Sequence, residues 1–190
     1  MWVLVNALAW VVIGALIRPL SPFPEGNWGA VAFVVAVSIT GAVLGAMQWL
    51  VLRRWVNQVR RWVMVSTVGT LVAAFPTAYF EVLDMYIGPR LELDALLSGA
   101  AFGTALGTIQ WVALRRRMHR APWWIVANAI GWSASFFVGD VLYTVWEEAR
   151  AIISYGIVTG GVAAAITGIA LVVLLRNPVS DKPDTKQSTA

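Results

Sequence analysis

The chain has no cysteine and a single histidine, His119, which sits in the basic run RRRMHR. No disulfide framework and no thiolate nucleophile can form. No imidazole lies within an apolar segment, so none is available there to haem or zinc. Charge is scarce too: 13% of residues are Asp, Glu, Lys or Arg, against about 25% in a typical soluble domain. The sequence contains no P-loop, Rossmann fingerprint or HExxH. Ser38, Ser66, Ser98, Ser133 and Ser135 fall in apolar runs that hold no histidine to act as their base. These absences argue against an enzyme and against a resident cofactor or metal. Only carboxylate chemistry stays open.

Apolar surface is what the chain has. Hydrophobic residues make up 59% of it, the mean hydropathy is +0.72, and there are eleven tryptophans. Such a balance points to a membrane protein, and tryptophan favours the headgroup boundary. Six apolar runs cover residues 2–17, 28–52, 62–80, 95–114, 123–145 and 152–175. Each is long enough, or nearly so, to cross a hydrocarbon core of roughly 30 Å as a helix. The first is the shortest. It lacks the basic start of a signal peptide and reads as a retained helix. Pro76, inside the third run, is expected to kink its helix. Residues 1–177 therefore read as one six-helix transmembrane domain, and residues 178–190 as a polar, disordered tail.

Charge sets the expected orientation. Eleven of the fourteen basic residues lie in the connections after the second and fourth runs or beyond the sixth: Arg53, Arg54, Arg60, Arg61, Arg115, Arg116, Arg117, Arg120, Arg176, Lys182 and Lys186. The opposite side carries eight of the ten acids. The positive-inside bias places both termini in the cytoplasm. The basic turns read as topology signals with anionic lipid headgroups as neighbours, so nucleic acid is not an expected partner.

The chain repeats itself. GAVLGAMQWLVLRR begins at Gly41 and GTALGTIQWVALRR at Gly103; a weaker copy, AAITGIALVVLLR, begins at Ala164 with Leu171 where the others have Gln48 and Gln110. The odd runs repeat as well: WVLVNALAW, WVMVSTVGT and WIVANAIGW start at Trp2, Trp62 and Trp124. Three tandem helical hairpins are implied, over about residues 1–60, 61–121 and 122–177. Each hairpin starts on the same side, so the copies should be related by an axis along the membrane normal. The expected fold is all-α, a membrane bundle with pseudo-threefold symmetry.

Two stripes follow from the spacing. Small residues recur every fourth position: Gly41 and Gly45; Gly99, Gly103 and Gly107; Gly160, Ala164 and Gly168. Such stripes let helices approach closely in lipid. On the odd helices, positions i, i+4 and i+8 share a face and hold Trp2, Asn6, Trp10; Trp62, Ser66, Thr70; and Trp124, Asn128, Trp132. The amides and hydroxyl of Asn6, Gln48, Ser66, Gln110 and Asn128 thus form a candidate polar cluster within the apolar runs, near the cytoplasmic side. The economical reading is that they fasten helices to one another; the alternative is a polar site or pore lined by amides. On the opposite side Arg18 and Asp140 occupy corresponding repeat positions and are a candidate charge pair. Glu81 and Asp84, at i and i+3, read as a solvated helix end.

The pattern W-x-x-x-N followed by GxxxGxxQWxxLRR resembles uncharacterised bacterial multi-pass membrane proteins that repeat this segment. The resemblance covers nearly the whole chain and implies the bacterial inner membrane, without an activity. The size is also similar to that of the six-helix substrate-binding subunits of vitamin transporters, which are not built from three hairpins. The expected role is a non-enzymatic scaffold or accessory subunit, or a lipid-binding one, with membrane lipids and a membrane protein as partners. The alternative is transport of a small solute or ion.

Overall fold

In an apolar medium, where no water meets the backbone, runs of this length close their own hydrogen bonds as helices. The computed structural model describes residues 1–17, 27–53, 59–87, 91–115, 120–145 and 151–176, with no strand among them. Its six helices are α1 (Trp2–Ile17), α2 (Asn27–Leu52), α3 (Val59–Ile87), α4 (Leu91–Leu114), α5 (Trp123–Val145) and α6 (Ala151–Leu175). Four of them, α2, α4, α5 and α6, contain stretches long and apolar enough to cross a membrane; α1 is apolar but shorter.

Glu81 and Asp84 lie in the last turns of α3, in keeping with a helix end, and the helix extends past the apolar run that stops at residue 80. It reaches Ile87, and α4 starts at Leu91. Carboxylates are tolerated on a helix, so polarity alone does not end one. Pro76 lies inside α3 without terminating it. α5 begins with a turn in which Trp123, Trp124 and Ile125 donate backbone N–H groups to the carbonyls of Arg120, Ala121 and Pro122.

Each helix packs against its neighbours in chain order, and α6 closes back onto α1. The seams rest on the glycines. A methyl group at Gly41 of α2 would come within 2.6 Å of Thr67 Cα on α3, and one at Gly45 within 2.8 Å of Ser66 Cβ. On α4, a Cβ at Gly99, Gly103 or Gly107 would press on Trp132, Asn128 or Ile125 of α5; at Gly103 it would overlap the Asn128 carbonyl. On α6, Gly160 and Gly168 face the indoles of Trp10 and Trp2 on α1. Every even helix therefore lays its small-residue stripe on the odd helix that follows it around the ring.

Apolar side chains both fill the interior and cover the exterior. One buried cluster joins Trp2, Leu52, Trp62, Leu114, Trp124, Leu171 and Leu174 at the end where the odd helices start. Further along the helices, Ala73, Leu106, Trp132 and Ala163 form a second, and Ala9, Ile13 and Leu44 a third. Outside, Trp28, Phe75, Tyr79, Ile169 and other large apolar side chains are exposed. Ser38, Thr104 and Thr108 also face outward, each hydroxyl donating to the carbonyl four residues back on its own helix. A hydroxyl bonded this way can face an apolar medium without an outside partner.

Candidate polar site at the centre of the bundle

The odd-helix stripe places its polar residue in the middle, one turn from each tryptophan position. In the folded chain Asn6, Ser66 and Asn128 are all buried, as is Gln110, while Gln48 is half-buried. They converge on one internal cavity lined from all six helices, with Leu44, Thr70, Leu106, Gly160, Ala163, Ala164 and Thr167 completing the wall. Tryptophans bound it at both levels. Trp2 and Trp124 meet edge to face with centroids 6.1 Å apart, and Trp10 and Trp132 do so at 6.4 Å. The two pairs stand eight residues apart along α1 and α5, or about 12 Å at the helical rise.

The cavity is small. The space open to a water's centre is about 20 Å³, and roughly 10–15 Å³ suffices for one molecule.

Most of the polar groups are bonded to one another. Gln48 Nε2 donates to Asn6 Oδ1 at 3.0 Å, and Asn6 Nδ2 donates to the Trp2 carbonyl at 2.9 Å. Gln110 spans three helices: Nε2 donates to Ser66 Oγ on α3 at 3.2 Å, and Oε1 accepts from Trp124 Nε1 on α5 at 3.0 Å. Asn128 Nδ2 donates to the Trp124 carbonyl at 2.9 Å. Three buried side-chain atoms have no hydrogen-bond partner among the described residues: Gln48 Oε1, Trp62 Nε1 and Trp111 Nε1. Trp111 also carries the Arg115 guanidinium over its ring, 5.4 Å from the centroid, a cation–π arrangement at the end of α4.

Thr167 belongs to this site, although the sequence reading passed over it. Its hydroxyl accepts from Trp2 Nε1 at 3.1 Å and donates to the Ala163 carbonyl at 2.8 Å. Thr167 lies one turn before Leu171, the residue aligned with the two glutamines. The third copy thus moves its polar group by one turn. The signal was present: Leu44 and Leu106 stand where the third copy has threonine. Ser135 was also missed; it is fully buried and donates to the Thr159 carbonyl at 2.7 Å, joining α5 to α6.

The expected charge pair divides. Asp140 is half-buried on α5 and has an interaction partner, whereas Arg18 lies outside the described residues. The side chains of Glu81 and Asp84 also lie outside them. Among the described residues no group of His, Cys, Asp or Glu could hold a metal ion. Comparison of the chain with protein-family models, with curated proteins and with solved structures finds no match.

Proposed function

We propose that the protein is a non-enzymatic integral membrane bundle of three tandem hairpins, related pseudo-threefold about the membrane normal, that serves as a scaffold or accessory subunit with a lipid-covered exterior. The observation that carries this reading is how the central polar groups are used. Asn6, Gln48, Ser66, Gln110 and Asn128 bind one another or nearby backbone, between two tryptophan pairs. The space left among them, about 20 Å³, is far below the roughly 300–1,000 Å³ of a typical small-molecule site. The Gln48–Asn6, Gln110–Ser66 and Trp124–Gln110 bonds cross between helices and fasten them, each contributing about 0.6 kcal/mol in a membrane bundle, while the Asn6 and Asn128 amides donate to carbonyls of their own helices.

Two further observations support the arrangement in lipid. The even helices lay their glycines on the next odd helix in the pairs α2 on α3, α4 on α5 and α6 on α1, which is the pattern a threefold repeat requires. The exterior is apolar on several helices, with Phe75 at 78% and Ile169 at 69% exposure; in water such a surface would drive association. The basic turns orient both termini to the cytoplasm of a bacterial inner membrane. A role as scaffold implies a membrane protein partner as well as lipid.

One observation favours a second reading, passage of a small solute or ion: the cavity lies where all six helices converge and is lined by amides. Reconstitution separates the two. Proteoliposomes holding the purified protein should swell in osmotic gradients of neutral solutes, and leak cations, no faster than empty vesicles, while cross-linking in native membranes should trap a discrete partner. Solute or ion flux that stops in a Gln110→Leu variant would instead establish transport and end the scaffold reading.

A further inference from the structure

The two glutamines are bonded alike on one side and differently on the other. Gln48 Nε2 reaches Asn6 on α1, and Gln110 Nε2 reaches Ser66 on α3, so each amide nitrogen binds the preceding helix. On the far side Gln110 Oε1 accepts from Trp124 Nε1, fourteen residues on. Trp62 stands fourteen residues after Gln48. Yet Gln48 Oε1 and Trp62 Nε1 are both buried and without a partner among the described residues. An acceptor and a donor at corresponding positions of one seam are therefore both unmet.

Turning the Gln48 amide over does not remove the problem. Asn6 Nδ2 is committed to the Trp2 carbonyl, which leaves Asn6 Oδ1 facing Gln48. An acceptor there demands a donor, so Nε2 stays on that side and Oε1 stays unmet. A buried polar group left dry is costly. A cation would satisfy Oε1 but be repelled by the indole N–H; an anion would do the reverse. An apolar occupant would satisfy neither. The occupant has to be neutral and both donor and acceptor, and water is the smallest species that is.

We propose that the seam between α2 and α3 holds one buried water, donating to Gln48 Oε1 and accepting from Trp62 Nε1. Gln48 lines the central cavity, and so does Ser66, one turn beyond Trp62 on α3. The water completes at this seam the link that Gln110 and Trp124 make directly at the seam between α4 and α5. The three seams then carry the indole N–H of Trp62 on a water, of Trp124 on an amide and of Trp2 on a hydroxyl.

The test reads the indole protons of the full chain, labelled with nitrogen-15 tryptophan, in nanodiscs. Trp62 and Trp124 Hε1 are assigned from Trp62→Phe and Trp124→Phe. The Trp62 Hε1 assignment is repeated from its shift in Gln48→Leu, so that it survives if Trp62→Phe does not fold. Trp62 Hε1 should show a cross-relaxation peak to water, Trp124 Hε1 should show none, and Gln48→Leu should abolish the Trp62 peak. A Trp62 Hε1 with no water peak, or peaks of equal strength at both tryptophans, overturns the proposal.

Discussion

Gln110→Leu is the most informative single change. Gln110 is 2% exposed and ties α4 to Ser66 on α3 and to Trp124 on α5. Leucine nearly matches glutamine in volume, so packing changes little and the loss is mainly two hydrogen bonds. At the membrane average of about 0.6 kcal/mol each, this is about 1.2 kcal/mol. Trp124 Nε1 and Ser66 Oγ are then stranded, and a penalty of about 1–3 kcal/mol for a fully dry group sets the upper side. We expect a loss of about 1–3 kcal/mol in sodium dodecyl sulfate titrations from mixed micelles, followed by circular dichroism. Gln48→Leu removes one protein hydrogen bond and should cost about half as much. The third copy suggests a rescue, because it pairs Leu171 with a threonine one turn earlier. Adding Leu106→Thr to Gln110→Leu should therefore recover part of the loss. If Gln110→Leu unfolds within about 0.5 kcal/mol of the parent, the scale of an ordinary surface change, or if Gln48→Leu costs more, the fastening argument fails.

The other expectations follow from the same geometry. Gly103→Ala drives a methyl into the Asn128 carbonyl and to 2.9 Å from Ala129 Cα, and should cost about 1–3 kcal/mol in the same titration; Gly161→Ala, with nothing within 4 Å of its new carbon, should be neutral. Thr167→Val keeps the shape but removes the acceptor for Trp2 Nε1, so it should destabilise by about 1 kcal/mol and shift the Trp2 indole proton. Ile169→Arg places a charge on the exposed face of α6 and should reduce membrane insertion by about 2.5–3.5 kcal/mol in a glycosylation-reporter assay, whereas Ile169→Ala should insert nearly as well as the parent. Because the chain has no cysteine, single cysteines at the exposed positions of Arg60 and Arg115 can be labelled without background; both should react from the cytoplasmic face, and labelling on opposite faces would overturn the hairpin topology.

The sequence alone determined the helices and their inward faces. Outside α3 and the start of α4, helix ends fall at or next to the ends of the apolar runs, and a run of Trp2–Ile17 length satisfies its backbone in an apolar medium by forming a helix. The tryptophan and polar positions at i, i+4 and i+8 share a face because 3.6 residues make a turn. That periodicity brings Asn6, Ser66 and Asn128 to the same side of their helices, and the glycine spacing marks the side on which neighbours come close. The extent of α3 was less legible, since the apolar run stops at residue 80 while the helix carries on through Glu81 and Asp84 to Ile87. Only the tertiary structure decided which donor meets which acceptor. Pairings such as Gln110 with Trp124, Trp2 with Thr167, and the unmet Gln48 and Trp62 depend on how far each helix is rotated and shifted against the next. A hydrogen bond requires that fit to a few tenths of an ångström, whereas a residue pattern specifies only a face.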